Sequence, residues 1–247
     1  LVSFFDILSV RSLETDMSFS VSLGKGLLEY EGSIKGLVAQ PTNFLKKRYW
    51  SMLVDLVRFY RTGTNQVMHG PVGETLIEFA LRQGYGAAFI HDHLVPMGSA
   101  IWSASTKSLM DFPAVSFMHF MENHKLLNFF DRPQWLTVAG GSREYVKRVA
   151  NNLTDRIHLN TDICYLRREN GGVVIDIKDQ GEIWFDSVII ATHGDQALEL
   201  IQDASKKERD ILGAFRFQQN HAVLHSDARL MPKRRRAWAA WNYVSDN

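Results

Sequence analysis

The sequence predicts a mixed fold, α/β together with α+β: a mainly helical first half with one β-hairpin, then short antiparallel strands and one strand of parallel-sheet composition. Three observations predict it. Asn43 to Arg61 places Leu45, Tyr49, Met52, Leu53, Leu56 and Phe59 or Tyr60 at three-to-four spacing, the period of an amphipathic helix. After Gln134 short β-branched runs alternate with glycine-containing turns. Asp186 to Thr192 (DSVIIAT) ends in five unbroken small or β-branched residues, the composition of a strand buried on both faces of a parallel sheet.

Taken in order, Leu1 to Val10 reads as the interior of a helix, and Met17 to Tyr30 as a hairpin turning at Gly24-Lys25-Gly26. The amphipathic helix follows. Further helices are expected at Thr75 to Arg82, closed by Gly84, around Phe89 to Leu94, at Ser105 to Met110 and at Ala114 to His124. Trp135 to Val149 reads as strand, glycine turn and a helix whose stripe is Tyr145, Val146 and Val149. Strands are then expected at Ile157 to Leu159, Asp162 to Arg168, Val173 to Ile177 and Ile183 to Phe185, ahead of the buried strand at 186–192 and a helix from Gln196 to Ile201. A buried parallel strand running into a Gly-containing turn and a helix is where an open α/β sheet places its ligand. Ala237 to Val244 is a strand candidate with almost nothing after it to pair with.

With 247 residues, 45% hydrophobic and 22% charged, the chain can bury one large core or two modest ones. A net charge of +1 gives no electrostatic reason to hold nucleic acid or an anionic membrane. No apolar run approaches the ~20 residues that span a bilayer, so no integral membrane segment is expected. The single cysteine, Cys164, rules out an internal disulfide and suits a reducing compartment, which makes the cytoplasm the expected location. Leu1 opens mid-helix and the last strand candidate closes the chain, so both ends are expected to be missing.

Several long strings resemble the flavin-containing amine oxidase and phytoene desaturase superfamily, in its bacterial branch of NAD/FAD-binding oxidoreductases. They are TDMSFSVS (Thr15 to Ser22), LVPMGSAIWSAS (Leu94 to Ser105), FPAVSFMHFMENHKLL (Phe112 to Leu127), RPQWLTVAGGSREYV (Arg132 to Val146), FDSVIIATHGDQALELI (Phe185 to Ile201) and Ala222 to Val244. The resemblance implies an incomplete FAD/NAD(P)-binding Rossmann-like fold of amine-oxidase type. Residues 1–138 would form a substrate-side domain, 139–202 the middle segment of a discontinuous FAD-binding domain, and 203–247 a return to the substrate side. Its cofactor would be FAD and its chemistry hydride transfer from an amine or a lipidic substrate to flavin N5. The alternative is a non-catalytic module of the same fold, linked to a lipid-modifying enzyme such as a cyclopropane fatty acid synthase, which some similar proteins accompany.

By the same resemblance Ile163 stands where a backbone contacts adenine, Ala191, Thr192 and His193 where a strand end and turn approach the dinucleotide, and Gly140 and Gly141 where the chain re-enters the FAD domain. Trp102 and Trp135 would line the substrate side. No catalytic base matches, and a flavin that accepts hydride leaves the protein mainly orientation and electrostatics. No G-x-G-x-x-G follows a strand; GYGAA at Gly84 to Ala88 lies after a helix and lacks the spacing.

Bland readings are expected for the rest. His91-Asp92-His93 fixes no third metal ligand, so no metal is assigned. His119 and His124 read as ordinary polar helix positions, and Lys233 to Arg236 as a solvated loop. Trp50, Trp184, Trp238 and Trp241 read as core or interface filler. Cys164 reads as a buried apolar strand residue.

Overall fold

The computed structural model describes residues 1–128, 133–217 and 219–246. They divide into two units, Leu1–Glu144 with Leu224–Asn247, and Tyr145–Val223.

In the first unit a short helix α1 (Val2–Ile7) precedes β1 (Ser12–Thr15). Strands β2 (Phe19–Leu23) and β3 (Leu28–Glu31) form the expected hairpin. Its turn runs through Gly24, Lys25 and Gly26 at φ of +58°, +57° and +87°, a left-handed path that glycine follows without a Cβ penalty. Strand β4 (Trp135–Val138) pairs antiparallel with β1, from Ser12 opposite Val138 to Thr15 opposite Trp135.

The last strand, β8 (Trp241–Ser245), lies parallel to β2, with Phe19 opposite Trp241 and Leu23 opposite Ser245. Its partner therefore comes from the start of the chain, not from anything after it. Glu29 on β3 secures the approach to this strand. Its buried carboxylate accepts from Ser22 Oγ (2.8 Å), the backbone N–H groups of Lys233 (2.7 Å) and Arg234 (3.0 Å), and Arg234 Nη1 (2.8 Å). The basic run Lys233 to Arg236 is thus no simple solvated loop: Arg234 clamps it to the hairpin, and Arg235 lies over the Trp238 ring.

Helix α2 (Lys47–Met68) buries Tyr49, Met52, Leu56, Phe59, Gly63 and Val67, the alternating three-to-four spacing of one helical face. Leu45 falls in the preceding 3₁₀ turn and is 86% exposed, so it is not part of that stripe. Helix α3 (Leu76–Arg82) starts at a capping box, Glu78 N donating to Thr75 Oγ1 and Thr75 N to Glu78 Oε2.

The next helical turn, α4 (Ala87–Phe89), widens into a π turn at Ile90–Leu94 and continues into α5 (Val95–Trp102), a helix the sequence reading lacked. Pro96 sits in its first turn, where a missing N–H costs little. Helices α6 (Thr106–Met110) and α7 (Ala114–Asn123) complete the layer. Tyr30, Tyr49, Phe59, Phe79, Phe89 and Phe117 are wholly buried where these helices meet the hairpin.

Helix α8 (Arg143–Asn151) runs into the second unit. There β5 (Ile163–Glu169), β6 (Gly172–Ile177) and β7 (Gly181–Phe185) form an antiparallel meander in the order β5-β6-β7. Helices α9 (Gly194–Leu200) and α10 (Lys206–Leu212) follow, the latter not expected from sequence. Leu166, Ile201 and Ala204 form a small core.

Three expectations fail in this unit. Residues 157–159 are exposed and not a strand. Cys164 is exposed, because β5 is an edge strand whose register breaks between Ile163 and Tyr165 and so spoils the simple in-out alternation. Residues 186–192 form no strand and are largely exposed, Ile189 at 93%, since no described residue hydrogen-bonds to their backbone as a neighbouring strand would.

Candidate functional site

In the second unit Ala191, Thr192 and His193 lie at the end of that segment, and Ile163 lies apart from them on β5. Ala191 and Thr192 are both exposed. His193 caps α9 with its backbone N–H donating to Gln196 Oε1 (3.3 Å), and its ring lies flat on Phe217, centroids 4.2 Å apart. Ile163 opens β5 opposite Ile177 and is 41% exposed. An apolar extended segment with bare backbone N–H and C=O groups accepts either a further strand or a flat ligand with polar edges.

In the first unit Gly140 and Gly141 adopt φ of +83° and +87°, so backbone conformation demands glycine there. A Cβ on Gly141 would meet nothing within 4 Å among the described residues, which leaves that face open. The glycines at 84 and 86 are employed differently: Gly84 ends the turn after α3 at φ +65°, and Gly86 N–H donates to Asp55 Oδ2 (2.8 Å). They build the helical core and make no phosphate cradle.

Trp102 and Trp135 have different surroundings. Trp102 packs among Phe112, Phe117 and Phe120, nearest to Phe120 at 4.6 Å. Trp135 stacks on His124 (5.8 Å, 19°) and lines a groove of ≈ 440 Å³ rimmed by Asp16, Glu31, Lys125 and Arg236. Phe120 and His124, 4.2 Å apart, bridge the two tryptophans, so His124 is more than a plain polar helix position. Trp241 packs against the main core as filler, whereas Trp50, Trp184 and Trp238 are exposed and so are not core residues. Of the apolar stretch Phe112 to Phe130, residues 129 and 130 lie outside the described residues, as does Arg132.

Two apolar cavities, ≈ 370 and ≈ 30 Å³, share Gly32, Tyr60 and His93 in their walls. His93 is 1% exposed on the π turn, its ring stacked on Phe89 (5.7 Å) and Tyr30 (6.1 Å). Burial depresses its pKa to about 3, so the imidazole is neutral at physiological pH. Neighbouring Asp92 is taken by Arg48, which donates Nε (2.7 Å) and Nη2 (2.8 Å) to its two oxygens. His91, in contrast, is exposed, so the His-Asp-His string points its members at unrelated surroundings. Sequence reasoning weighed these residues only as metal ligands; the spacing of Phe89, His93 and Met97, four apart on one helical face, is the signal that would have found a core histidine.

Residues 47–215, well over half of the chain, match the family model for flavin containing amine oxidoreductase. The chain belongs to that family. The flavin that defines it agrees with the expected cofactor, FAD. Solved structures show the same fold. The chain is similar to a putrescine oxidase bound to putrescine, at 15% identity and a TM-score of 0.59, with 86% of this chain and 49% of that one covered. It is similar to the cyclohexylamine oxidase of Brevibacterium oxydans at 13% identity and TM-score 0.56, with 86% and 48% covered. A fatty acid isomerase from P. acnes that produces CLA matches at 15% and 0.50, with 86% and 48% covered. This member of the amine oxidoreductase family thus spans about half the length of the solved structures it matches. A search of curated protein sequences finds no match. Among the described residues no helix is long and apolar enough to cross a membrane.

The residues present fit part of a flavin dinucleotide. The segment at 187–192 carries small and β-branched side chains and runs into the His193 turn and α9, the strand-turn-helix order at which an open α/β sheet meets a ligand. The G-x-G-x-x-G turn that cradles a diphosphate is not in this sequence.

Proposed function

We propose that the protein is an FAD-dependent oxidoreductase of the amine-oxidase type, acting on an amine or a hydrophobic, lipidic substrate in the cytoplasm. When bound, the flavin supplies a hydride acceptor at N5. The chain's own residues bind and orient. The backbone of Ile163 serves the adenine end, and Ala191, Thr192 and His193 form the strand end and turn beside the dinucleotide. Gly140 and Gly141 keep the re-entry turn low enough for close approach. Residues 1–138 and 203–247 act as the substrate side and 139–202 as the cofactor segment, with Trp135 and Trp102 on the substrate side. The observation that carries the proposal is the match of residues 47–215 to the flavin family model, a stretch in which the segment at 187–192 runs into the His193 turn and helix α9. A functional link to a cyclopropane fatty acid synthase belongs to the lipidic version.

The decisive test is anaerobic. Full-length protein loaded with FAD is mixed with a panel of amines and unsaturated or hydroxylated lipids. Bleaching of the oxidised flavin band by any member is expected, whereas persistent oxidised flavin across the panel favours a non-catalytic binding module. Ile189 gives a sharper structural check. Folding of Ile189→Asp in the full-length chain is followed by circular dichroism, so that a loss of fold is separated from a loss of cofactor. The substitution places a carboxylate on the proposed cofactor face, so FAD retention on desalting is expected to fall at least about tenfold. Full FAD retention by the variant would remove this segment from the cofactor site.

A further inference from the structure

The hydrogen bonds around His93 fix its tautomer. Tyr30 Oη lies 2.7 Å from the carbonyl of Asp92, which can only accept, so the single phenolic hydrogen goes there. Tyr30 Oη is also 2.9 Å from His93 Nδ1 and must accept from it, so Nδ1 carries the imidazole proton. Nε2 is left as a bare lone pair, buried and without a hydrogen-bond partner. An acceptor in this condition is costly, and native proteins leave few of them without a ligand or a water.

His93 belongs to the walls of both cavities, which are otherwise built from groups such as Phe19, Leu56, Met97, Ile101 and Trp241. Among the described residues no aspartate or glutamate lines either, and the exposed Lys35 stands at the wider one. A cationic ammonium entering here would lose its hydration, find no counter-ion among the described residues and meet the like charge of Lys35. A neutral hydroxyl would lose far less and satisfy Nε2.

We propose that these adjoining cavities bind a neutral, apolar molecule through a hydroxyl group that donates to His93 Nε2, with the hydrocarbon body lying against the aromatic and aliphatic walls. As a binding site this stands without the flavin; as the site of the substrate it rests on the proposed oxidoreductase function and selects a hydroxylated, lipid-like substrate over a charged amine. The ≈ 30 Å³ cavity has room for a single small polar group or a water. The ≈ 370 Å³ cavity has room for a medium-length chain.

The probes are 1-octanol, methyl heptyl ether, which has the same number of heavy atoms but no donor, and octylammonium. Each is titrated into the full-length chain by calorimetry, and the 15N resonance of His93 Nε2 is followed by NMR. Octanol is expected to bind about tenfold more tightly than the ether and to move the Nε2 resonance in the direction of hydrogen bonding. Octylammonium is expected to bind more weakly than either. His93→Phe, which keeps a flat ring in the aromatic box, is expected to bring octanol and ether to equal affinity. Equal affinities in the unaltered protein, tighter binding of octylammonium, or an Nε2 resonance already hydrogen-bonded and unmoved by octanol would each overturn the proposal. The NMR readout needs no variant, and none of these measurements involves flavin reduction, so its failure is separable from failure of the oxidoreductase proposal.

Discussion

Replacing Glu29 by alanine is expected to weaken the attachment of the C-terminal strand to the first unit by about 1–3 kcal/mol, the loss when buried donors are left without an acceptor, Arg234 being 37% exposed and open to rehydration. The two carboxylate oxygens receive four donors, two on Oε1 from Ser22 and Lys233 and two on Oε2 from Arg234, which fills their lone-pair capacity. Without them two backbone N–H groups and the Arg234 guanidinium lose their acceptor together. Hydrogen exchange of the Trp241–Ser245 amides, which lie in the ladder with β2, is the measurement. A change below about 1 kcal/mol would mean that the β2–β8 ladder holds the segment unaided.

The same carboxylate sets a pH dependence. Burial works to raise its pKa, but the Arg234 side chain, Ser22 and the backbone N–H groups of Lys233 and Arg234 outweigh it and hold the carboxyl below its ordinary 4.5. A depressed carboxylate contributes stability that is fully present above the unfolded value and disappears as the pH falls through the lower folded value. The window therefore lies below about 4.5, and the Ala variant is expected to lose that part of the acid slope.

What the sequence made legible was local. The α2 stripe repeats a helical period over many residues, the hairpin has a turn that only glycine-rich strings follow, and α3 announces itself through Thr75 and Glu78. Each depends on neighbours within a few positions. The pairing of β8 with β2 does not: it joins residues from opposite ends of the chain, as when Ser20 Oγ donates to Asn242 Oδ1, and no local pattern encodes a partner that distant. The composition of 186–192 predicted burial on both faces, but the segment is largely exposed, because composition says nothing of which strands will lie beside it.

The candidate site was legible to the extent that it sits on punctuation. Gly140 and Gly141 really are at left-handed φ, and Ala191 to His193 really do form the turn before a helix. His91, Asp92 and His93 adjoin in sequence but not in environment. A helix separates such neighbours by about 100° each, so an exposed His91 and a buried His93 are what the period predicts. The partner that gives His93 its tautomer, Tyr30, comes from the hairpin and is beyond any local reading.

Phe59→Ala is expected to cost about 3–5 kcal/mol of unfolding free energy in the first unit, read from a urea titration, because the vacated volume lies where three helices converge. Phe59 is wholly buried, and its ring stands 5.3 Å from Phe89, 5.9 Å from Tyr85 and 6.3 Å from Phe79. Arg58 covers the other side of this group, its guanidinium 4.1 Å from the Tyr85 ring, so neighbouring side chains are not free to collapse into the gap. Phe89 in turn stacks on His93, which makes the variant informative about function as well as stability. If the aromatic box is what holds Nε2 in place, the folded variant should lose the preference of octanol over methyl heptyl ether while still binding both, since a wandering imidazole keeps its chemistry but not its aim. A variant that keeps the preference despite the lost stability would show that Tyr30 alone orients the ring, through the bond at Nδ1.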